Sequence, residues 1–267
     1  MTEIMNPMIV LGGLGFAFAI ILSIASNVFA VEIDPKVERV REALPGANCG
    51  ACGFPGCDGL ANAIVGGIAP VTACSVGGKP VAEEVADIMG VNASNVERNV
   101  ATVLCQGSCE KAKQKFIYEG IKDCRAENIL QGGSKACTYG CLGCGTCQNI
   151  CPFDAIDMVD GLAIVNKDKC TACMKCIEVC PKSIIELVPY DKLHVVKCKS
   201  KDPGKEVRSK CTIGCIGCQI CVKNCPVDAF TFENNLAKIN YDICINCGVC
   251  AEKCPTKAIH AALAKEV

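Results

Sequence analysis

The N-terminal part of the chain is one long apolar stretch. No charged residue occurs from Asn6 to Val31, a run of 26 residues. As a helix this run would extend about 39 Å, which exceeds the roughly 30 Å of a bilayer's hydrocarbon core. Basic residues begin only after it, at Lys36, so the positive-inside rule directs the rest of the chain to the cytoplasm. The pattern predicts an uncleaved, single-pass transmembrane anchor over residues 1–31. The alternative, a secretory signal peptide, lacks its basic n-region here, and the apolar run is too long for one.

Short helical and strand patterns follow the apolar run. Asp34 and Pro35 are typical of a helix start, and the apolar spacing from Val81 to Met89 predicts a helix that ends at Gly90. Val100 to Leu104 is a candidate strand. Apolar segments flank Asp160-Gly161, and later Glu233-Asn234-Asn235, as in β-hairpins. These elements predict a small-domain α+β fold.

Cysteine dominates the composition. It accounts for 26 of the 267 residues, against two histidines and no tryptophan. Basic and acidic residues balance at 27 and 28, which argues against a nucleic-acid-binding protein, a class that is usually clearly basic. Cysteines at this density hold disulfides, zinc or iron–sulfur clusters. A cytoplasmic location disfavours disulfides and leaves the two kinds of metal site.

The spacing of the cysteines repeats along the C-terminal half. A shift of 74 residues superposes ten cysteines without a gap, from Cys124 on Cys198 to Cys180 on Cys254. Each copy contains C-x2-C-x2-C-x3-C-P twice. This is the run of bacterial two-cluster ferredoxins, in which three cysteines bind one [4Fe–4S] cluster and the fourth binds the other.

That rule assigns the ligands of four [4Fe–4S] clusters. The first pair of clusters takes Cys141, Cys144, Cys147 and Cys180, and Cys151, Cys170, Cys173 and Cys176. The second pair takes Cys215, Cys218, Cys221 and Cys254, and Cys225, Cys244, Cys247 and Cys250. Zinc sites use separated C-x2-C knuckles or histidine ligands, so zinc is disfavoured here.

A different cysteine pattern precedes the repeats. Its four members are spaced C-x2-C-x4-C-x16-C, at Cys49, Cys52, Cys57 and Cys74. Glycines lie between them, and glycine permits tight turns and close approach of backbone N–H groups to sulfur. The pattern predicts a fifth [4Fe–4S] cluster, with zinc a more serious alternative than in the repeats.

Six cysteines are left over: Cys105, Cys109, Cys124, Cys137, Cys198 and Cys211. The compact choice for a sixth site is Cys105, Cys109, Cys124 and Cys137. The alternatives are that the six are structural thiols, or that Cys137 or Cys211 displaces a ferredoxin-type ligand four positions away. Five clusters are therefore expected, and six are allowed.

No catalytic residue is predicted. A dinucleotide fingerprint after a strand, a Walker A loop and a G-x-S-x-G motif are all missing, and His194 and His260 are isolated in the sequence. The predicted division is a transmembrane anchor (1–31), an N-terminal [4Fe–4S] domain (32–92), a connecting region (93–136) and two ferredoxin domains (137–197 and 198–267).

These motifs resemble one family, the B subunit of the Rnf complex, the membrane-bound ferredoxin:NAD oxidoreductase of anaerobic bacteria. The resemblance lies in the apolar N-terminus, in Leu44 to Cys57, in Val103 to Gly107, in Tyr118-Glu119-Gly120 and in the ferredoxin repeats. The N-terminal cysteine module is also similar to that of corrinoid iron–sulfur proteins, which supports a cluster there.

The resemblance implies a role that the residues alone do not. Reduced ferredoxin would deliver electrons to clusters on the cytoplasmic side of the bacterial cell membrane. Partner subunits, membrane and flavin proteins, would then reduce NAD⁺ and export Na⁺ or H⁺. The chain would be an electron-transfer subunit of this translocase, with no flavin or nucleotide site of its own. Two alternatives are a membrane polyferredoxin that serves another oxidoreductase such as a hydrogenase, and a structural zinc-binding membrane protein.

Overall fold

A computed structural model describes residues 2–28, 34–92 and 98–261. The chain begins with helix α1 (Thr2–Val28), which confirms that the apolar N-terminus is helical. A search of the described residues finds no helix with both the length and the apolar character that a membrane span requires. The predicted anchor covers residues 1–31, of which residues 1 and 29–31 lie outside the described residues.

Three helices form the N-terminal unit: α2 (Pro35–Ala43), α3 (Gly56–Val65) and α4 (Gly78–Met89). The predicted caps are confirmed, since the Asp34 carboxylate accepts the Lys36 N–H and Gly90 ends α4 with a left-handed backbone. The apolar faces of the three helices meet in one core, whose central side chains are Val40, Leu60, Ile64 and Val85. Cys57 lies in the first turn of α3, and the helices hold the loops that carry Cys49, Cys52 and Cys74.

The first ferredoxin-like unit has two small antiparallel sheets. Strands β2 (Ile156–Val159) and β3 (Leu162–Val165) form the predicted hairpin about Asp160-Gly161, both of which have positive φ. The second sheet pairs β1 (Asn99–Val103) with β4 (Ile185–Pro189). The strand predicted at Val100 to Leu104 is confirmed as β1, and it pairs with β4, the C-terminal strand of this unit. Short helices complete the unit: α5 (Cys124–Ile129), α6 (Thr146–Asn149) and α7 (Lys175–Val179).

The second ferredoxin-like unit repeats this plan. Strand β5 (His194–Val196) pairs with β8 (Ile259–Ala261), as β1 pairs with β4. Strands β6 (Phe230–Glu233) and β7 (Leu236–Ile239) form the predicted hairpin about Asn234 and Asn235. The helices are α8 (Gly204–Lys210), α9 (Ile220–Lys223) and α10 (Val249–Glu252).

Cysteines take the place of large apolar side chains in both units. In the first, Cys141, Cys147, Cys170 and Cys176 belong to the buried core together with Val100 and Ile184. In the second, Cys221 and Cys250 lie in the core with Leu236 and Ile259. The predicted α+β fold is confirmed, and each core is built around thiol groups.

Candidate metal centres

The N-terminal helices bring four predicted ligands around one cavity. The first turn of α3 and the loops on either side of this helix place them about a space of about 300 Å³, lined by Cys49, Cys52, Cys57 and Cys74. The Asn48 side-chain oxygen accepts the backbone N–H of Cys57 at 2.8 Å, and the N–H of Gly77 donates to Cys74 Sγ at 3.4 Å. The set predicted from the spacing therefore comes together as one group of thiols.

One predicted set of the second ferredoxin-like unit also lines a single cavity. Its volume is about 380 Å³, and its thiols are those of Cys215, Cys218, Cys221 and Cys254. Burial raises the pKa of the Cys221 thiol to about 12, and the neighbouring charges of Cys215, Cys218 and Cys254 act in the same direction. These four thiols come from both half-motifs, as the ferredoxin rule requires.

In each of the two remaining predicted sets of the repeats, a buried cysteine has other members of its set as neighbours. Burial raises the pKa of Cys176 to about 12, and Cys170, Cys173 and Cys151 add to this effect. In the second unit, burial raises the pKa of Cys250 to about 11, with Cys244 and Cys247 as its thiol neighbours. Cys225, the predicted fourth member of that set, accepts the N–H of Ala229 at 3.3 Å.

The first set of the first ferredoxin-like unit contains a fifth thiol. A cavity of about 360 Å³ is lined by three predicted ligands and one left-over cysteine: Cys141, Cys147, Cys180 and Cys124. The fourth predicted ligand, Cys144, lies beside them and donates its thiol proton to Glu127 at 2.7 Å. Cys124 begins α5, and its N–H donates to the Thr146 hydroxyl at 2.7 Å.

The predicted sixth site is corrected by the structure. Of its members Cys105, Cys109, Cys124 and Cys137, only Cys105 and Cys137 line a common cavity. Cys109 is exposed and its N–H bonds to Asp160 O at 3.0 Å, which holds it on the turn of the β2–β3 hairpin. Cys124 is held beside the first ferredoxin loop. The compact choice failed because proximity in the sequence does not decide which loops meet.

Two cysteines of the second repeat complete that cavity instead. Cys198 and Cys211 line it together with Cys105 and Cys137, in a volume of about 440 Å³. A signal for this was present in the sequence. Cys137 and Cys211 both begin the pattern C-T-x-G-C, and Cys105 and Cys198 each lie two residues after the valine that ends a strand, Val103 or Val196.

The chemistry of these donor sets fits iron–sulfur clusters. Thiolates are the usual ligands of [4Fe–4S] clusters, and the described cavities are lined by four cysteines each with no histidine. Burial raises thiol pKa values, so metal binding has to displace protons from the buried cysteines. Within residues 34–92 and 98–261, no three His, Cys, Asp or Glu side chains converge on a point suited to a single metal ion.

Family models match the three thiol-bearing regions. Residues 44–76 match the family described as "Putative Fe-S cluster", and residues 140–185 and 214–258 each match a family described as "4Fe-4S dicluster domain". The fold and the sites thus define a multi-cluster iron–sulfur protein with two ferredoxin-type modules.

Curated relatives cover nearly the whole chain. It is 54% identical, over 91% of its length and 73% of the relative, to the B subunit of the Na⁺-translocating ferredoxin:NAD⁺ oxidoreductase complex of Acetobacterium woodii. It is 44% identical, over 91% of its length and 86% of the relative, to the proton-translocating counterpart of Clostridium ljungdahlii. The B subunit of the ion-translocating oxidoreductase complex of Methanosarcina acetivorans is 43% identical over 90% of this chain and 91% of its own. The chain belongs to this family, the B subunits of ion-translocating (Rnf) oxidoreductase complexes, as the sequence motifs predicted.

Proposed function

We propose that the chain accepts electrons from reduced ferredoxin and passes them to flavin and membrane subunits of its complex. The complex as a whole would couple ferredoxin oxidation and NAD⁺ reduction to the export of Na⁺ or H⁺. Five [4Fe–4S] clusters, bound by the N-terminal set and the four ferredoxin-type sets, would supply the one-electron carriers. No nucleic acid takes part.

One observation carries this proposal: the thiol sets of the N-terminal unit and of the first ferredoxin-like unit adjoin one another. Burial raises the pKa of Cys173, and among the thiols that add to this effect is Cys49 of the N-terminal set. Cys176 of one ferredoxin-type set has Cys147 of the other as a neighbour. The groups that would bind these three clusters therefore follow one another, which is what a relay requires.

We further propose that α1 attaches the chain to the bacterial cell membrane, with the cysteine-bearing units in the cytoplasm. The run from Asn6 to Val31 has no charge, and large apolar side chains of α1 are exposed, with Leu11 at 70% and Phe16 at 72%. Such a surface is covered by lipid or by another protein. Membrane fractionation compares the full chain with a chain that begins at residue 34. A full chain that stays in the soluble fraction would contradict attachment.

The relay is tested with the native complex purified under anaerobic conditions. We expect flavin and membrane subunits to accompany this chain, and reduced ferredoxin to bleach its cluster absorbance within the time of turnover. A chain that is isolated with a hydrogenase, and without flavin subunits, would support the polyferredoxin alternative. Complete NAD⁺ reduction by a complex that lacks this chain would contradict the proposal. The dependence of NAD⁺ reduction on Na⁺ identifies the exported ion.

A further inference from the structure

We infer that Cys105, Cys137, Cys198 and Cys211 bind a sixth [4Fe–4S] cluster, which joins the two ferredoxin-like units. These four cysteines lie outside the ferredoxin motifs, and each unit contributes two of them. The inference concerns the metal content of the chain itself, so its test does not depend on the proposed electron donor or on the partner subunits.

The two halves of the molecule present their cysteines in equivalent ways. Cys105 follows β1, the strand that pairs with the C-terminal strand of the first unit, and Cys198 follows β5, which pairs with the C-terminal strand of the second. Cys137 and Cys211 each stand four residues before the first cysteine of a ferredoxin motif. The site is thus built by matching segments of a duplicated chain.

Backbone contacts between the units fix these segments against each other. Cys211 forms an antiparallel bridge with Ala112, and the N–H of Thr212 donates to Lys111 O at 3.0 Å. A Cβ atom added at Gly107 would lie 3.7 Å from both Cys105 Sγ and Cys211 Sγ. Thiols of the two units therefore face the same space next to Gly107.

The size of the cavity suits the same ligand as the ferredoxin motifs. Its volume is about 440 Å³, against about 380 Å³ for the cavity of Cys215, Cys218, Cys221 and Cys254. Leu104, Ala112 and Val207 contribute an apolar lining to it. A thiol-lined, largely apolar space of this volume fits a cubane cluster.

Positive charge is also placed at this cavity. Lys135 is 2% exposed, and its ammonium donates to the carbonyl oxygens of Gly107 at 2.8 Å and Gly161 at 3.0 Å. Lys197 lines the cavity as well and forms no ion pair with any residue in the described part of the chain. A four-thiolate cluster carries negative charge, which the ammonium groups of Lys135 and Lys197 would offset.

The position of the site explains what a cluster would do there. Cys105 Sγ accepts the backbone N–H of Cys141, a ligand of the first ferredoxin-like unit, at 3.4 Å. On the other side, burial raises the pKa of Cys198 to about 12, and its thiol neighbours include both Cys137 and Cys215. A cluster held by the four cysteines would lie between the two units and make the series of carriers continuous.

Two anaerobic experiments on the full chain test this inference. In the first, native protein is treated with iodoacetamide, and the modified cysteines are mapped by mass spectrometry. We expect Cys105, Cys137, Cys198 and Cys211 to be protected as well as Cys221 is, while the exposed Cys109 is modified. Rapid modification of Cys198 and Cys211 would overturn the inference.

The second experiment separates a cluster from mere burial by counting iron and acid-labile sulfide. A Cys198→Ala/Cys211→Ala double variant should lose about four iron atoms relative to wild type, whereas the matched Cys109→Ala variant should lose none. Unchanged iron in the double variant would overturn the inference. So would a zinc ion, in place of iron and sulfide, at this site. If the double variant does not fold, Cys198→Ser replaces it: the oxygen ligand should alter the paramagnetic resonance spectrum of one reduced cluster, and an unaltered spectrum would count against the site.

Discussion

The backbone N–H of Cys141 donates a hydrogen bond of 3.4 Å to the Sγ of Cys105. Cys141 opens the first ferredoxin motif, and Cys105 lies after β1, in the region that the sequence suggested was a mere connection. The bond places a thiol of that region directly against the backbone of a predicted cluster loop. Hydrogen bonds to cluster sulfurs tune the reduction potential, so with a cluster on Cys105 this bond would bring the connecting region into the proposed electron relay.

Removal of one N-terminal thiol should affect one cluster only. Cys57 is 7% exposed and lies among the other three thiols of its set, away from the cores of the ferredoxin-like units. Cys57→Ala should cost about four iron atoms and slow electron flow through the complex, with the ferredoxin units still folded. Iron analysis and circular dichroism check this. Iron content equal to that of wild type would refute the assignment.

The N-terminal unit should depend on its apolar core. Leu60 is 1% exposed, whereas Ile68, nearby in the sequence, is 79% exposed. Leu60→Ala should lower the free energy of unfolding by about 2 to 5 kcal/mol, because it leaves a cavity among packed helices. The control Ile68→Ala should change it by less than about 0.5 kcal/mol. Urea denaturation followed by circular dichroism measures both variants, and equal effects would contradict the described core.

A larger side chain at Gly107 should block the sixth site without removing a ligand. A Cβ there would stand 3.7 Å from both Cys105 Sγ and Cys211 Sγ, so the branches of valine would enter the space between them. Gly107→Val should therefore lose about four iron atoms. Gly13→Val is the control for a glycine substitution, because no atom lies within 4 Å of a Cβ added there and its φ is not positive. A Gly107→Val protein with full iron content would show that the cavity holds no cluster.

Glu127 should support the first ferredoxin loop through hydrogen bonds. It is 2% exposed and accepts the Ser134 N–H at 2.9 Å and the Cys144 thiol at 2.7 Å. In the metal-free chain, burial raises its pKa, but these bonds and Lys135 outweigh burial and leave the pKa lower than that of an ordinary glutamate. A Cys144 that binds a cluster is a thiolate with no proton to donate, so the bond from the Ser134 N–H is the one that persists in the cluster-loaded chain.

Glu127→Ala leaves the Ser134 N–H without a partner and should lower the free energy of unfolding by about 1 to 3 kcal/mol. Glu127→Gln retains an acceptor and should restore most of that loss. Urea denaturation of the three proteins at pH 7 measures this ranking. No difference between Glu127→Ala and Glu127→Gln would contradict the role of these bonds.

Local patterns in the sequence predicted local features well. The spacing of Cys49 to Cys74 and of the ferredoxin motifs predicted sets that the structure gathers around cavities, and Asp160-Gly161 predicted a hairpin turn. The hairpin turn and the three successive cysteines of each motif are close in the chain, where turn chemistry and spacing fix the geometry, and the ferredoxin rule supplies the fourth ligand.

Contacts between distant segments could not be predicted in the same way. The pairing of β1 with β4, and the meeting of Cys105 with Cys198 and Cys211, join residues that are far apart in the sequence. The 74-residue shift even matched Cys198 with Cys124, whereas its position after a strand makes it the counterpart of Cys105. A sequence repeat shows which residues correspond by descent, but strand pairing decides which of them share a site.

The most direct test of the unbroken series of clusters is the iron and acid-labile sulfide content of the full chain, purified anaerobically, with zinc measured alongside. Six clusters predict about 24 iron atoms, an equal amount of sulfide and no zinc. About 20 iron atoms would leave a gap between the two ferredoxin-like units, and zinc without sulfide would contradict an electron relay altogether.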